Sequence, residues 1–147
     1  MLTARAETWT ISEAQRLALD RQVRQAFDRI PLAAFETVRK ADVRFAVLPS
    51  ALVPVGAQVR FTVARFDETI PGILFFGPIL IQHSAAVIDV IAAHEWSHAY
   101  LWCRREPWTA EHLTDTLIDS WGFDSRLLED VRFHGRDNDF LRRFLRV

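Results

Sequence analysis

Two histidines and a glutamate stand at a spacing that can hold a metal ion and use it for chemistry. His94, Glu95 and His98 form a His-Glu-x-x-His motif inside a long apolar segment with helical periodicity. Histidines four residues apart lie on the same helix face, so both imidazoles can bind one zinc ion. The glutamate beside the first histidine can reach a zinc-bound water and accept its proton. The motif therefore predicts a hydrolytic metal site, with His94 and His98 as metal ligands and Glu95 as catalytic base.

The segment around the motif is typical of a helix at about residues 85–105. Ser84 is a suitable N-cap, and the apolar residues that follow it have strong helix periodicity. The competing interpretation is a core helix whose histidines bond to backbone groups or carboxylates. It would leave three polar side chains to satisfy within an apolar helix, which is costly. We therefore favour metal binding.

A catalytic zinc ion needs a third protein ligand, with water in the fourth position. Position 104 is Arg, so the extended pattern with a third histidine is absent, and we expect a carboxylate on a later element. Taken alone, the acidic segment after the motif would be interpreted as a solvated helix face. Beside the two histidines it supplies the candidate ligands Glu111, Asp115, Asp119 and His112.

The connection between the two helices leaves the choice of ligand open. A tight hairpin centred near Pro107 would bring residues close to 116 level with His98, which favours Asp115. The extended residues around Pro107 can span roughly 13 Å, at about 3.3 Å per residue. With a connection of that length the Glu111 side chain, which is longer than that of Asp115, can also reach the two histidines.

This arrangement resembles the gluzincin zinc metallopeptidases, which carry His-Glu-x-x-His and then Glu-x-x-x-Asp on the next helix. His94-Glu95-x-x-His98 and Glu111-x-x-x-Asp115 match the two parts. The resemblance covers about residues 73–123, and the small single-domain members, often called minigluzincins, are the most similar in layout. It implies that Glu111 binds zinc and that Asp115 supports a ligand histidine from the second shell of contacts.

Two features depart from the gluzincin pattern. Twelve residues separate His98 from Glu111, fewer than is usual for the group, and Thr114 replaces the small Ala that usually precedes the Asp. Glu111 stays the preferred third ligand, with Asp115 as the alternative.

The rest of the chain predicts a single α+β domain over residues 1–147. Ser12 caps an amphipathic N-terminal helix that Pro31 interrupts, and strand-like runs follow at 43–48, 59–66, 73–76 and 79–82. Because Gly77-Pro78 precedes the last run, we expect an edge strand at about 79–82, or a bulge in this segment, in a small, mostly antiparallel sheet. The resemblance also implies an edge strand here, which would bind an extended peptide by strand addition. Thr109 and Gly122 bound a helix at about 110–121, and a further helix is expected near 126–131.

Composition limits the other functions. The net charge of −1 gives no indication of a nucleic-acid or membrane partner. The single Cys103 excludes an internal disulfide and, because it follows the motif, argues against peptide deformylase, whose cysteine ligand precedes it. The N-terminus lacks the apolar core of a signal peptide, and no run is long enough for a transmembrane helix, so a cytoplasmic protein is expected. Secretion by a non-classical route is compatible with the same features.

The predicted function is zinc-dependent hydrolysis of peptide bonds in a peptide or protein substrate, with endopeptidase activity expected. A zinc-bound regulatory or binding module without turnover and a non-peptidase amide hydrolase are the alternatives. His112, His134 and Tyr100 are candidates for stabilising an oxyanion. Trp96, inside the motif, is interpreted as a packing residue, and the sequence does not indicate an oligomeric state.

Overall fold

The computed structural model describes residues 5–55, 62–129 and 131, and within these ranges it has an α+β architecture. The strands are β1 (Arg5–Thr10), β2 (Arg44–Leu48), β3 (Ser50–Val55), β4 (Ala64–Asp67) and β5 (Gly72–Phe76). The helices are α1 (Glu13–Phe27), α2 (Leu32–Lys40), α3 (Gly77–Leu80), α4 (Ala85–Cys103) and α5 (Glu111–Ser120), with a 3₁₀ turn at Ser125–Leu128. The predicted fold class is confirmed.

The strands form two small sheets. In the first, β1 pairs with β3 in antiparallel register. In the second, the order is β2-β5-β4, in which β2 runs parallel to β5 and β4 runs antiparallel to it. Strand β4 is therefore at the edge of the second sheet, and no strand of the described residues pairs with its outer side.

The prediction of an edge strand at 79–82 is wrong, because Gly77–Leu80 forms the short helix α3. Pro78 lacks an N–H and has a fixed φ, which disfavours a strand but suits the first turn of a helix. The chain also passes close to β2 at this point, since a Cβ on Gly77 would lie 2.5 Å from the Leu48 carbonyl oxygen. The sheet ends at Phe76, and β4 takes the edge position.

Other strand predictions were partly right. The run at 43–48 forms β2, and the run at 59–66 contributes β4 from Ala64 onward, while residues 56–61 lie outside the described part of the chain. Strands β1 and β3 were not predicted. Each is stabilised by pairing with a segment more than 35 residues away along the chain, a contact that local patterns do not encode.

Helix α4 carries the motif and lies at the centre of the molecule. Ser84 caps it by accepting a hydrogen bond from the Val87 N–H at 3.3 Å, as predicted. It packs against α1, α2, α5, β4 and β5. On the side away from the histidines, Trp96 is buried, its ring stacks on Phe35 at 4.9 Å, and its indole N–H donates to the Ala34 carbonyl at 3.3 Å. Trp96 is thus a packing residue, as interpreted from the sequence.

The turn after α4 directs the chain back toward the motif. The Glu106 N–H donates to the Leu101 carbonyl and the Arg105 N–H to the Trp102 carbonyl, which is the hydrogen-bond pattern of a Schellman C-cap. Helix α5 begins at Glu111 after the N-cap Ala110, so Thr109 is not the cap. It ends in a second Schellman turn with Gly122 at the left-handed position, as predicted. Asp124 caps the 3₁₀ turn at Ser125–Leu128, and Glu129 and Val131 after it are helical, within the helix expected near 126–131.

Candidate metal centre

The two histidines of the motif point to one place on the surface of α4. The Nε2 atoms of His94 and His98 are 3.0 Å apart, and their rings meet edge to face with centroids 4.5 Å apart. Only 12% of the His94 side chain and 10% of the His98 side chain are exposed. The helical spacing read from the sequence is therefore realised in a nearly buried pair.

Glu111, at the start of α5, meets both histidines. Its Oε2 lies 3.3 Å from the His94 Nε2, and its Oε1 lies 3.5 Å from the His98 Nε2. Two ligand atoms bound to a tetrahedral zinc ion at 2.0–2.1 Å are about 3.3–3.4 Å apart. The two contacts of Glu111 are close to this spacing, one through each carboxylate oxygen, whereas the two Nε2 atoms, at 3.0 Å, are closer together. The connection through Pro107 is thus long enough for the Glu111 side chain to reach both histidines.

Glu95 has a different environment from Glu111. It is 6% exposed, against 56% for the Glu111 side chain, and accepts a hydrogen bond from the Phe66 N–H of β4. Burial, together with the negative charge of Glu111, raises the pKa of the Glu95 carboxyl to about 8, and the Phe66 hydrogen bond opposes that rise. The Glu95 Oε2 atom is buried and has no hydrogen-bond partner within the described residues. Phe66 thus holds the Glu95 carboxyl group, and Oε2 is the oxygen of that group at which a proton can be held.

Trp108 contributes a contact that the sequence did not indicate. Its backbone carbonyl lies 2.5 Å from the His98 Nδ1, and its ring lies edge to face on the His98 imidazole at 6.2 Å. A carbonyl oxygen can only accept, so Nδ1 carries a proton, and the Nε2 side of the His98 ring faces His94 and Glu111. Any residue type supplies a carbonyl, so no sequence signal could have identified this partner.

The remaining candidates lie outside the cluster or have other partners. Asp115 is half-buried one turn beyond Glu111, consistent with either predicted role. Asp119 accepts hydrogen bonds from the Ser125 N–H and hydroxyl, both at 2.9 Å, and so holds the next turn. His112 is exposed, and Tyr100 packs on Trp121 and accepts from Arg104. His134 lies outside the described residues.

The donor atoms fit a divalent transition-metal ion. His94, Glu95 and His98 bring potential ligand atoms within 4.8 Å of one another, and Glu111 adds a carboxylate on the open side. Two imidazoles and one carboxylate suit zinc, although this donor set does not by itself distinguish zinc from other first-row metals. The orientation of His98 by a carbonyl is also typical of metal-ligating histidines.

Comparisons with protein-family models, with curated proteins and with solved structures find no match to this chain. The described helices include none that is both long enough and apolar enough to cross a membrane.

Proposed function

We propose that this protein is a zinc-dependent peptidase with His94, His98 and Glu111 as the metal ligands and Glu95 as the general base. The observation that carries the proposal is the convergence of Glu111 on both histidine Nε2 atoms, at 3.3 and 3.5 Å, beside a buried glutamate. A zinc-stabilised structural site would need the ligands but not Glu95, whose burial destabilises the fold.

Each residue has a separate task in this chemistry. Bound zinc would polarise the scissile carbonyl and lower the pKa of a bound water. Glu95 would accept the proton of the attacking water at its Oε2 and pass it to the leaving amine. The Phe66 N–H holds that carboxyl group, and the Trp108 carbonyl keeps His98 in the tautomer that can bind a metal.

Strand β4 is the surface on which an extended peptide would bind. The Phe76 N–H donates to the Val63 carbonyl at 2.9 Å, so Val63 is bonded to β5. In an antiparallel pair every second residue is bonded to the partner strand, so the N–H and C=O groups of Ala64 and Phe66 point away from β5. The Phe66 N–H reaches Glu95 in this direction, so the outward edge of β4 borders the site. A substrate that adds to this edge would lie beside the metal ligands, the role expected from the sequence for residues 79–82.

Metal content and turnover test the proposal together. Purified protein should hold about one equivalent of zinc, and the His94→Ala, His98→Ala double variant should hold none. Glu95→Gln should retain zinc and lose peptide hydrolysis by about 10²–10⁴-fold, because Gln cannot accept the proton. Activity can be measured by the new peptide termini that the wild-type protein produces in a mixture of peptides.

Three results would contradict this assignment in different ways. Zinc content unchanged by the double histidine substitution would exclude the metal site. Stoichiometric zinc with equal hydrolysis by wild type and Glu95→Gln would exclude the catalytic role of Glu95, and zinc without any turnover would favour a binding module.

A further inference from the structure

We propose that an aromatic contact between Phe66 and Trp108 positions the metal site. The contact joins β4, whose Phe66 N–H binds Glu95, to the loop after α4, whose Trp108 carbonyl binds His98. The inference rests on the proposed zinc site and adds two residues outside the His-Glu-x-x-His motif and the carboxylate pair on α5. Phe66 and Trp108 act through Glu95 and His98, so they are positioning residues and not catalytic ones.

The Trp108 end of this pair controls the direction of His98. The Trp108 carbonyl accepts the His98 Nδ1–H, and the Trp108 ring lies against the same imidazole. The loop between the end of α4 and the start of α5 contains this carbonyl, and Pro107 and Thr109 beside it are exposed. Anchoring of the Trp108 ring is therefore what keeps the carbonyl at the His98 Nδ1.

The Phe66 end supports the general base. Phe66 is 6% exposed, and its backbone N–H donates to the Glu95 carboxyl from the outward edge of β4. Strand β4 is short and has β5 as its strand partner among the described residues. The buried Phe66 ring is therefore important in holding this edge against α4.

The two rings touch each other directly. The ring centroids of Phe66 and Trp108 are 5.4 Å apart with an interplanar angle of 85°. This is the edge-to-face arrangement that aromatic pairs prefer. Each ring belongs to a residue whose backbone makes one hydrogen bond to the site. Movement at this contact would therefore change the position of Glu95 and the direction of His98 together.

Trp102 offers a matched control. Its ring also contacts Phe66 with centroids 5.4 Å apart, but Trp102 lies within α4 and the acceptor of the His98 Nδ1–H is the Trp108 carbonyl. Removal of either indole takes a similar ring away from Phe66. Only substitution of Trp108 removes the ring that anchors the carbonyl orienting His98.

Zinc affinity of the full-length protein is the measurement, made by competition with a chromophoric chelator well below the unfolding temperature. Trp108→Leu and Phe66→Leu should each weaken zinc binding about tenfold, the lower end of the effect of an outer-shell partner. The double variant should lose no more than the weaker-binding single variant, since both changes break one contact. Trp108→Phe and Trp102→Leu should stay within about threefold of wild type, because the first keeps a ring at the contact and the second spares the loop.

The outcomes separate this inference from the zinc proposal. Zinc affinity of Trp108→Leu within about twofold of wild type, or losses that multiply in the double variant, would overturn the positioning role while leaving the metal ligands in place. If Trp108→Leu does not fold, Trp108→Phe and Phe66→Leu carry the test, and equal affinity of Phe66→Leu and wild type overturns it. Zinc binding that survives His94→Ala would instead show that the proposed site itself is wrong.

Discussion

Glu95 and Glu111 illustrate how environment separates two side chains of the same type. Glu111 is more than half exposed and faces two imidazole nitrogens, a position that suits a metal ligand. Glu95 is enclosed, and burial favours its neutral form. The raised pKa of the buried Glu95 carboxyl is what a group that holds and releases a proton near neutral pH requires.

The ranking of Glu111 and Asp115 can be measured by substitution. Glu111→Ala should weaken zinc binding by more than about 100-fold because a ligand is lost, and Asp115→Ala by about 10–100-fold if it supports a ligand histidine. Glu106→Ala is the control for removing a negative charge, because Glu106 is exposed and pairs with Arg104 at 2.9 Å. Competition with a chelator would measure all three, and a larger loss for Asp115→Ala would make Asp115 the ligand.

At the scale of elements, the turn between α4 and α5 determines whether Glu111 can reach the histidines. Both helices end in Schellman turns, but the left-handed position is Arg105 in the first, with φ of 57°, and Gly122 in the second, with φ of 92°. A side chain with a Cβ is strained in this conformation, whereas glycine adopts it readily. The turn that returns the chain to the site is thus the more strained of the two.

Exchanging residue types at the two turns should change stability in opposite directions. Arg105→Gly should raise the free energy of unfolding by up to about 1 kcal/mol, since it relieves the left-handed strain. Gly122→Ala should lower it by about 1 kcal/mol through backbone strain alone, because an added Cβ meets no atom within 4 Å. Urea unfolding of the metal-free proteins would measure both, and a loss of stability in Arg105→Gly would contradict the assignment.

At the scale of the whole molecule, the central position of α4 buries Glu95 and has a cost in stability. Helices α1 and α2 cover one side of α4, while α5 and β4 cover the side that carries the motif. This packing removes water from Glu95 and leaves its carboxyl with a single N–H donor identified, that of Phe66. The stability of the metal-free protein should therefore depend on the protonation of this group.

The pH dependence has a defined sign. The pKa of Glu95 rises from its ordinary 4.5 to about 8 on folding, so its neutral form stabilises the fold below pH 4.5 and this contribution is lost as pH rises through 8. Glu95→Gln stays neutral, so its stability advantage over wild type should grow from pH 5 to pH 9, with an upper limit of about 5 kcal/mol at about 1.4 kcal/mol per pKa unit. Both proteins contain His94 and His98, so the difference between their chelator-treated unfolding curves isolates Glu95. Parallel pH profiles would contradict the raised pKa.

The sequence by itself determined the parts of this protein that depend on local spacing. The i and i+4 histidines, the Ser84 cap and the left-handed Gly122 are properties of one helix or one turn, where near neighbours decide the geometry. The α+β class followed from the same local patterns. The spacing of Glu111 and Asp115 also limited the candidates for a third metal ligand to a small set.

Only the tertiary structure decided which separate segments meet. Strand β4 replaced residues 79–82 as the edge because Gly77-Pro78 starts a helix, and β1 and β3 form only through their pairing with each other. The Trp108 carbonyl and the Phe66 N–H hold site residues through backbone atoms that nearly every residue type shares. The residue types at these positions therefore give no indication of the two contacts. Contacts of this kind form between segments that are far apart in the sequence and become neighbours only in the folded chain. Local residue patterns therefore do not predict them.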